Sequence, residues 1–193
     1  MRTLTLDLRG LIDKITDEQY EKLCRSNPDL NFELDKQGNL IIVPPTGGWT
    51  GNKNIKISQQ LANWTDRDGT GIAFDSSTEF NLPEGGKRSP DSAWIKLERW
   101  NELTEQQQES FPPICPDFVV ELRSKSDNLR PLQDKMQEYL DSGLRLGWLI
   151  DPKNRQVEIY RQGQDKQVLE DPKNLSGEDV LWGFVLNLQP IWG

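Results

Sequence analysis

The chain has 193 residues, 34% of them hydrophobic and 28% charged, with a formal net charge of −8 and no histidine. A sequence of this size and composition predicts one globular domain with a modest core, and no apolar run approaches the ~20 residues of a membrane span. The missing histidine excludes Ser-His-Asp and Cys-His nucleophiles, histidine zinc sites and imidazole bases, so catalysis falls to carboxylates, Lys, Arg, Tyr or Ser, with or without an oxygen-loving metal.

In chain order, "TDEQYEKLCRSNPDL" predicts a short helix, capped by Thr16 with Gln19 as its capping-box partner and stopped before Pro28. "NFELDKQGNLIIVPP" alternates around Gln37-Gly38-Asn39 and predicts a β-hairpin. Ile57, Leu61 and Trp64 recur at helical spacing before Gly69, giving a second helix. Three strand-like segments follow, "GIAFDSS", "TEFNL" and "SPDSAWIKL", the last two separated by a polar loop "PEGGKR". "ERWNELTEQQQESFPP" reads as a polar helical excursion, and "CPDFVVEL" as an apolar strand. A helix over 131–142 comes next, stopped by Gly143; then a strand pair, "LRLGWLIDP" and "RQVEIYRQG", turns at Pro-Lys-Asn, and short strands close the chain. Mixed strands with helices before and within the sheet define an α/β or α+β fold.

Cys24 and Cys115 stand far apart and read as small buried hydrophobes of a reducing, cytoplasmic compartment. Most of the seven tryptophans are expected in the core, with Trp49 and Trp100 as exposed stacking surfaces. The acidic balance argues against tight nonspecific binding to a nucleic-acid backbone, though a local basic strip is compatible with it.

Alternate strand residues share a face, so Asp117, Val119, Glu121 and Arg123 point one way and Phe118, Val120 and Leu122 the other. Asp117 and Glu121 lie about 13 Å apart along such a strand and cannot hold the same ion; Asp117 reads as a strand-start residue. Asp91 lies on a separate segment, and if the two strands are neighbours it comes within metal-bridging range of Glu121. Lys135 falls inside the apolar stripe of Leu132, Met136, Tyr139 and Leu140, a placement that calls for a carboxylate partner, Glu121 or Asp91. Carboxylates from adjacent strands suit Mg²⁺ or Mn²⁺, which can polarise a phosphodiester and acidify a bound water. The pattern therefore predicts metal-assisted phosphodiester hydrolysis. Arg123 is either a phosphate clamp or half of an ion pair with Asp127 or Glu121. Glu79 is expected as a solvent-facing hairpin residue, with accessory metal ligation as the alternative. Asn52 and Gln59 are expected on a solvated helix face, with phosphate contact as the alternative.

"RSPDSAW", "CPDFVVELRSKSD", "QDKMQEYLDSGLRLGWLIDP" and "VEIYR" resemble the Uma-type family of restriction-endonuclease-like proteins, within the PD-(D/E)XK nuclease superfamily. The resemblance implies a mixed central β-sheet flanked by helices, here with an extra N-terminal helix and β-hairpin. It also implies divalent-metal dependence and DNA as substrate. Its domain reading is a single unit over 1–193: a helical extension to residue 29, a nuclease-like core over 30–165, and short strands over 166–193. On this likeness Asp91 is the motif aspartate and Glu121 the motif glutamate. Arg123 stands where the superfamily places lysine, and Lys135 resembles the migrated lysine of some members. Duplex cleavage makes a homodimer the expected assembly. The competing expectation is a nuclease fold without cleavage activity, serving as a binding or regulatory module.

Overall fold

The computed structural model describes residues 3–8 and 14–193. The hairpin forms as β2 (Asn31–Leu34) and β3 (Leu40–Val43), and its turn places Gly38 at φ +84°, a left-handed conformation that glycine adopts without a Cβ clash. β1 (Leu4–Leu6) pairs with the outer edge of β3. On the other side, β6 (Gly86–Arg88) joins β2 and β5 (Phe80–Leu82) joins β6, completing a five-stranded sheet. The segment expected as a loop, "PEGGKR", thus contains a strand. Three residues containing a glycine carry too little alternation to reveal it.

α1 (Asp17–Ser26) begins at Thr16 with both capping-box bonds to Gln19 formed. It seats Tyr20 with Ile15, Phe32, Leu34 and Leu40 in a small core of its own.

The larger sheet has six strands in the order β11-β10-β9-β8-β7-β4. These are β4 (Gly71–Asp75), β7 (Ser92–Lys96), β8 (Phe118–Leu122), β9 (Leu146–Asp151), β10 (Gln156–Arg161) and β11 (Gln167–Glu170). Only β8 and β9 run parallel, and parallel neighbours need a crossover, which α5 (Leu129–Asp141) supplies. The polar excursion is two short helices, α3 (Leu97–Trp100) and α4 (Glu105–Glu109), the second with its own capping box from Thr104 and Gln107. β12 (Asn174–Ser176) pairs with β13 (Val185–Asn187), and α6 (Gln189–Trp192), not foreseen in the sequence, closes the chain.

The period-2 alternation of β8 sorts its side chains onto two cores. Phe118, Val120 and Leu122 pack with Trp148 and Ile150 beneath α2 (Gly48–Asp68), which contributes Ile57, Leu61 and Trp64; Phe184, Leu186, Ile191 and Trp192 fill the same layer. Val119 faces the other way, with Leu149, Met136 and Tyr139, beneath α5. A Cβ at Gly147 of β9 would stand 2.4 Å from Met136 Cε and 2.8 Å from Leu144 Cδ2, so any larger residue there would have to displace the Met136 side chain that α5 lays on the sheet. Trp100 packs on Phe74 at 5.0 Å between ring centroids, which removes it from the expected stacking surfaces, whereas Trp49 and Trp182 are each 81% exposed. Both cysteines are free thiols. Among the described residues no helix is long and apolar enough to cross a membrane.

Candidate active site

Register brings the two key carboxylates together. β7 and β8 are antiparallel, with Ser92 opposite Val120, so one step further along the ladder Asp91 comes opposite Glu121. Asp91 Oδ2 accepts from the Leu122 N–H at 2.7 Å, and Oδ1 from Asn54 Nδ2 at 2.6 Å. Glu121, on the same face of β8 as Val119, points at α5. Lys135 Nζ lies 2.8 Å from Glu121 Oε1, and the Tyr139 hydroxyl donates to the same oxygen at 3.1 Å. Asp91, Glu121 and Lys135 thus converge at one end of the neighbouring strands β7 and β8.

Several members of the cluster escaped the sequence reading. Lys135 also donates to Glu33 Oε1 at 2.8 Å and to the Ser89 carbonyl at 2.9 Å. Glu33 comes from β2 of the smaller sheet and is held by Arg88 Nη1 at 2.9 Å and the Ser89 N–H at 3.1 Å. Arg88 Nε and Nη2 both reach Glu138 Oε2 at 2.7 Å. Below the sheet, Ser58 and Ser92 share a hydroxyl hydrogen bond of 2.7 Å. The link Ser89-Pro90 carries the chain from β6 of one sheet to Asp91 and β7 of the other, so the cluster lies where the two sheets meet.

Burial dominates the electrostatics. It pushes the Glu121 carboxyl up to about 7; Lys135 pulls against that, and the charges of Asp91 and Glu33 add to it. Asp91 is raised by burial too, opposed chiefly by the Leu122 N–H. For Lys135 burial disfavours the ammonium, but Glu121 and Glu33 outweigh it and hold the group above the ordinary lysine range. Glu33 is lowered: burial works against its charge, and Lys135 and Arg88 overcome it. Lys135 is therefore a fixed cation near neutral pH, shared by two carboxylates.

The remaining predicted residues lie outside this cluster. Arg123 bonds Asp151 Oδ2 at 2.6 Å and the Asp127 carbonyl at 3.1 Å, an ion pair with a partner the sequence did not suggest. Asp117, at the far end of β8, accepts the Lys96 N–H at 2.9 Å and pairs with Arg99 at 3.0 Å. Gln59 is exposed and accepts from Lys56 at 3.5 Å, while Asn54 on the same helix is the residue that reaches Asp91. Glu79 is not solvent-facing: it is 7% exposed and accepts from the Tyr20 hydroxyl at 2.6 Å. A glutamate just ahead of a short hairpin strand reads as exposed in sequence, but here Tyr20 of α1 covers it.

Among the described residues no group of three or more Asp, Glu, His or Cys has metal-holding geometry. Two carboxylates nevertheless suffice for Mg²⁺, which usually keeps several waters and takes further oxygens from a phosphate. The donor chemistry fits: both residues offer oxygen alone, Asp91 is only partly buried, and the bonds from Lys135 and Tyr139 both fall on Glu121 Oε1.

The fold is a mixed sheet with a crossover helix between two parallel strands and helices on both faces. The backbone is similar to the crystal structure of "a putative nuclease belonging to DUF820" from Anabaena variabilis, at 20% identity and a TM-score of 0.76, over 91% of this chain and 96% of that one. The family described as "Uma2: Putative restriction endonuclease" matches residues 17–189, and the chain belongs to that family. No curated protein matches it.

Proposed function

We propose that the protein is a metal-dependent endonuclease that hydrolyses DNA phosphodiester bonds at the cluster of Asp91, Glu121 and Lys135. The observation that carries this reading is the cross-strand opposition of Asp91 and Glu121 with the Lys135 ammonium 2.8 Å from Glu121. Asp91 and Glu121 would hold Mg²⁺ or Mn²⁺, which when bound supplies Lewis-acid polarisation of the phosphoryl group and an acidified water.

The chain's own groups have separable tasks. Lys135 keeps its proton and so works as a cation beside the developing phosphorane charge, not as a base. Glu33 and the Ser89 carbonyl aim that ammonium, and Arg88 in turn holds Glu33. The Leu122 N–H and Asn54 set the two oxygens of Asp91. Arg123 is engaged by Asp151, which supports Lys135 as the substitute for the superfamily's strand lysine. Glu79 and Gln59 are left out of the catalytic set. Two copies of the site are needed to cut both strands at once, so the proposal takes a homodimer as the cutting unit.

The alternative, a nuclease fold retained for binding alone, draws on the same ion pairs, because Lys135 is already neutralised by two carboxylates. Supercoiled plasmid with Mg²⁺ or Mn²⁺ separates the two. Cleavage should fall roughly a hundredfold or more in Asp91→Asn, Glu121→Gln and Lys135→Met, and persist in Gln59→Ala. Breaking one partner of a buried pair costs about 3–5 kcal/mol, so each variant is checked by circular dichroism. Metal-dependent cleavage that survives Lys135→Met while Glu121→Gln abolishes it would remove Lys135 from the mechanism. A wild type without cleavage would leave the binding module.

A further inference from the structure

α2 presents a face that the catalytic cluster does not use. Trp49 is 81% exposed near the start of the helix. Lys53 follows one turn later and Lys56 almost another, so the three side chains share one stripe. Lys53 is half-buried, and burial alone lowers its pKa, with no carboxylate among the described residues acting on it. The surrounding sequence is unusual for so acidic a chain: from Lys36 to Thr65 there is no Asp or Glu, although the net charge is −8. Asn54, the residue after Lys53, lies about 100° further round the same turn of α2 and bonds Asp91 at 2.6 Å, so a strand on this stripe reaches the active-site cluster by wrapping round that turn.

Each feature points to the same ligand. A partly desolvated ammonium without a counter-charge gains from an incoming anion. An acid-free stretch on an acidic protein is where a polyanion meets least repulsion. An indole held open to solvent offers a stacking face, and unpaired bases can occupy it while the bases of an intact duplex stack on one another. We propose that Trp49, Lys53 and Lys56 form a single-strand nucleic-acid track leading into the Asp91–Glu121 site, with Lys53 on a backbone phosphate and Trp49 stacked on an unpaired base. The substrate class of the endonuclease is then DNA with a single-stranded or unpaired stretch beside the scissile bond. This rests on the endonuclease reading for its purpose, but binding is measured without cleavage.

The test is fluorescence anisotropy of labelled oligo(dT), oligo(rU) and a blunt duplex of matched length, with wild-type protein in EDTA. The single strands should bind more tightly than the duplex. Trp49→Ala should weaken single-strand binding roughly 5- to 100-fold, the range of one lost base stack. Lys53→Ala should flatten the dependence of log Kd on log salt by about 0.7, one phosphate on a single strand. Trp182→Ala, equally exposed but outside α2, should bind as wild type. Preference for the duplex, or equal binding by Trp49→Ala and wild type, overturns the track. The outcomes separate the two proposals. If Glu121→Gln abolishes cleavage while Trp49→Ala binds normally, the track is wrong and the nuclease stands. If binding depends on Trp49 but the wild type never cleaves, the track stands and the nuclease falls.

Discussion

At the scale of single residues, the molecule separates buried carboxylates that have a cation from one that lacks it. Glu33 and Glu121 share Lys135, whereas among the described residues Glu79 has only the Tyr20 hydroxyl, and its buried Oε1 has no hydrogen-bond partner there. Burial raises the Glu79 carboxyl from 4.5 to about 7; the Tyr20 bond and the Lys87 and Lys135 charges oppose this, and Glu33 adds to it. A raised folded-state pKa means the neutral carboxyl is the favoured form. Its contribution to stability is complete below about 4.5 and is lost as pH climbs through about 7. Glu79→Gln keeps the neutral shape at every pH. It should therefore raise Tm at about pH 8 by several degrees relative to wild type and change little at about pH 4. A thermal scan across pH checks this; equal pH dependence in both proteins would remove Glu79 as the source. Sequence alone exposed Lys135, because a lysine inside an apolar stripe needs a partner. It did not expose Glu33, because a glutamate between Phe32 and Leu34 reads as the polar face of a half-buried hairpin.

At the scale of elements, the site depends on how closely α5 lies on the sheet. Lys135, Glu138 and Tyr139 all reach the cluster from this one helix, and Gly147 sets its distance from β9. Gly147→Ala would press into Met136 Cε at 2.4 Å, and Met136, although flexible, is fully buried. We expect a loss of about 1–3 kcal/mol, read by urea unfolding, together with a drop in cleavage larger than the fraction unfolded explains. Unchanged specific activity would show that the lysine tolerates a lifted helix. The long periodic elements, α2 and α5, and the apolar strands β8 and β9 were legible because their spacing repeats over several turns or alternations. β6 was not, since three residues with a glycine show no alternation, and one of its two partners, β2, lies far away in sequence.

At the scale of the whole molecule, the last segment behaves as core rather than appendage. β11 completes the large sheet, and Phe184, Leu186, Ile191 and Trp192 pack on the layer that holds Trp64 and Trp148. The motifs legible in the sequence end near residue 165, but the family match runs on to residue 189 and the packing runs on with it. Deleting 166–193 removes several large buried side chains, each worth about 2–5 kcal/mol, against a typical total stability of about 5–15 kcal/mol. The truncated chain should fail to fold, seen as lost near-ultraviolet circular dichroism. A cooperative unfolding transition in that fragment would count against the single-domain reading of 1–193.

The link between the two sheets carries one more consequence, for how the chain can change length. Ser89 gives its N–H to Glu33 and its carbonyl to Lys135, and two residues later Asp91 leads into β7 of the second sheet. An added residue there would break both contacts and put Asp91 out of step with Glu121. The α3–α4 excursion, between β7 and β8 at the opposite end of those strands, has no part in the cluster. Insertions and deletions should accumulate in the excursion and be barred from the link, so a survey of chain lengths in this family would find the site bordered by a rigid spacer on one side and a free one on the other.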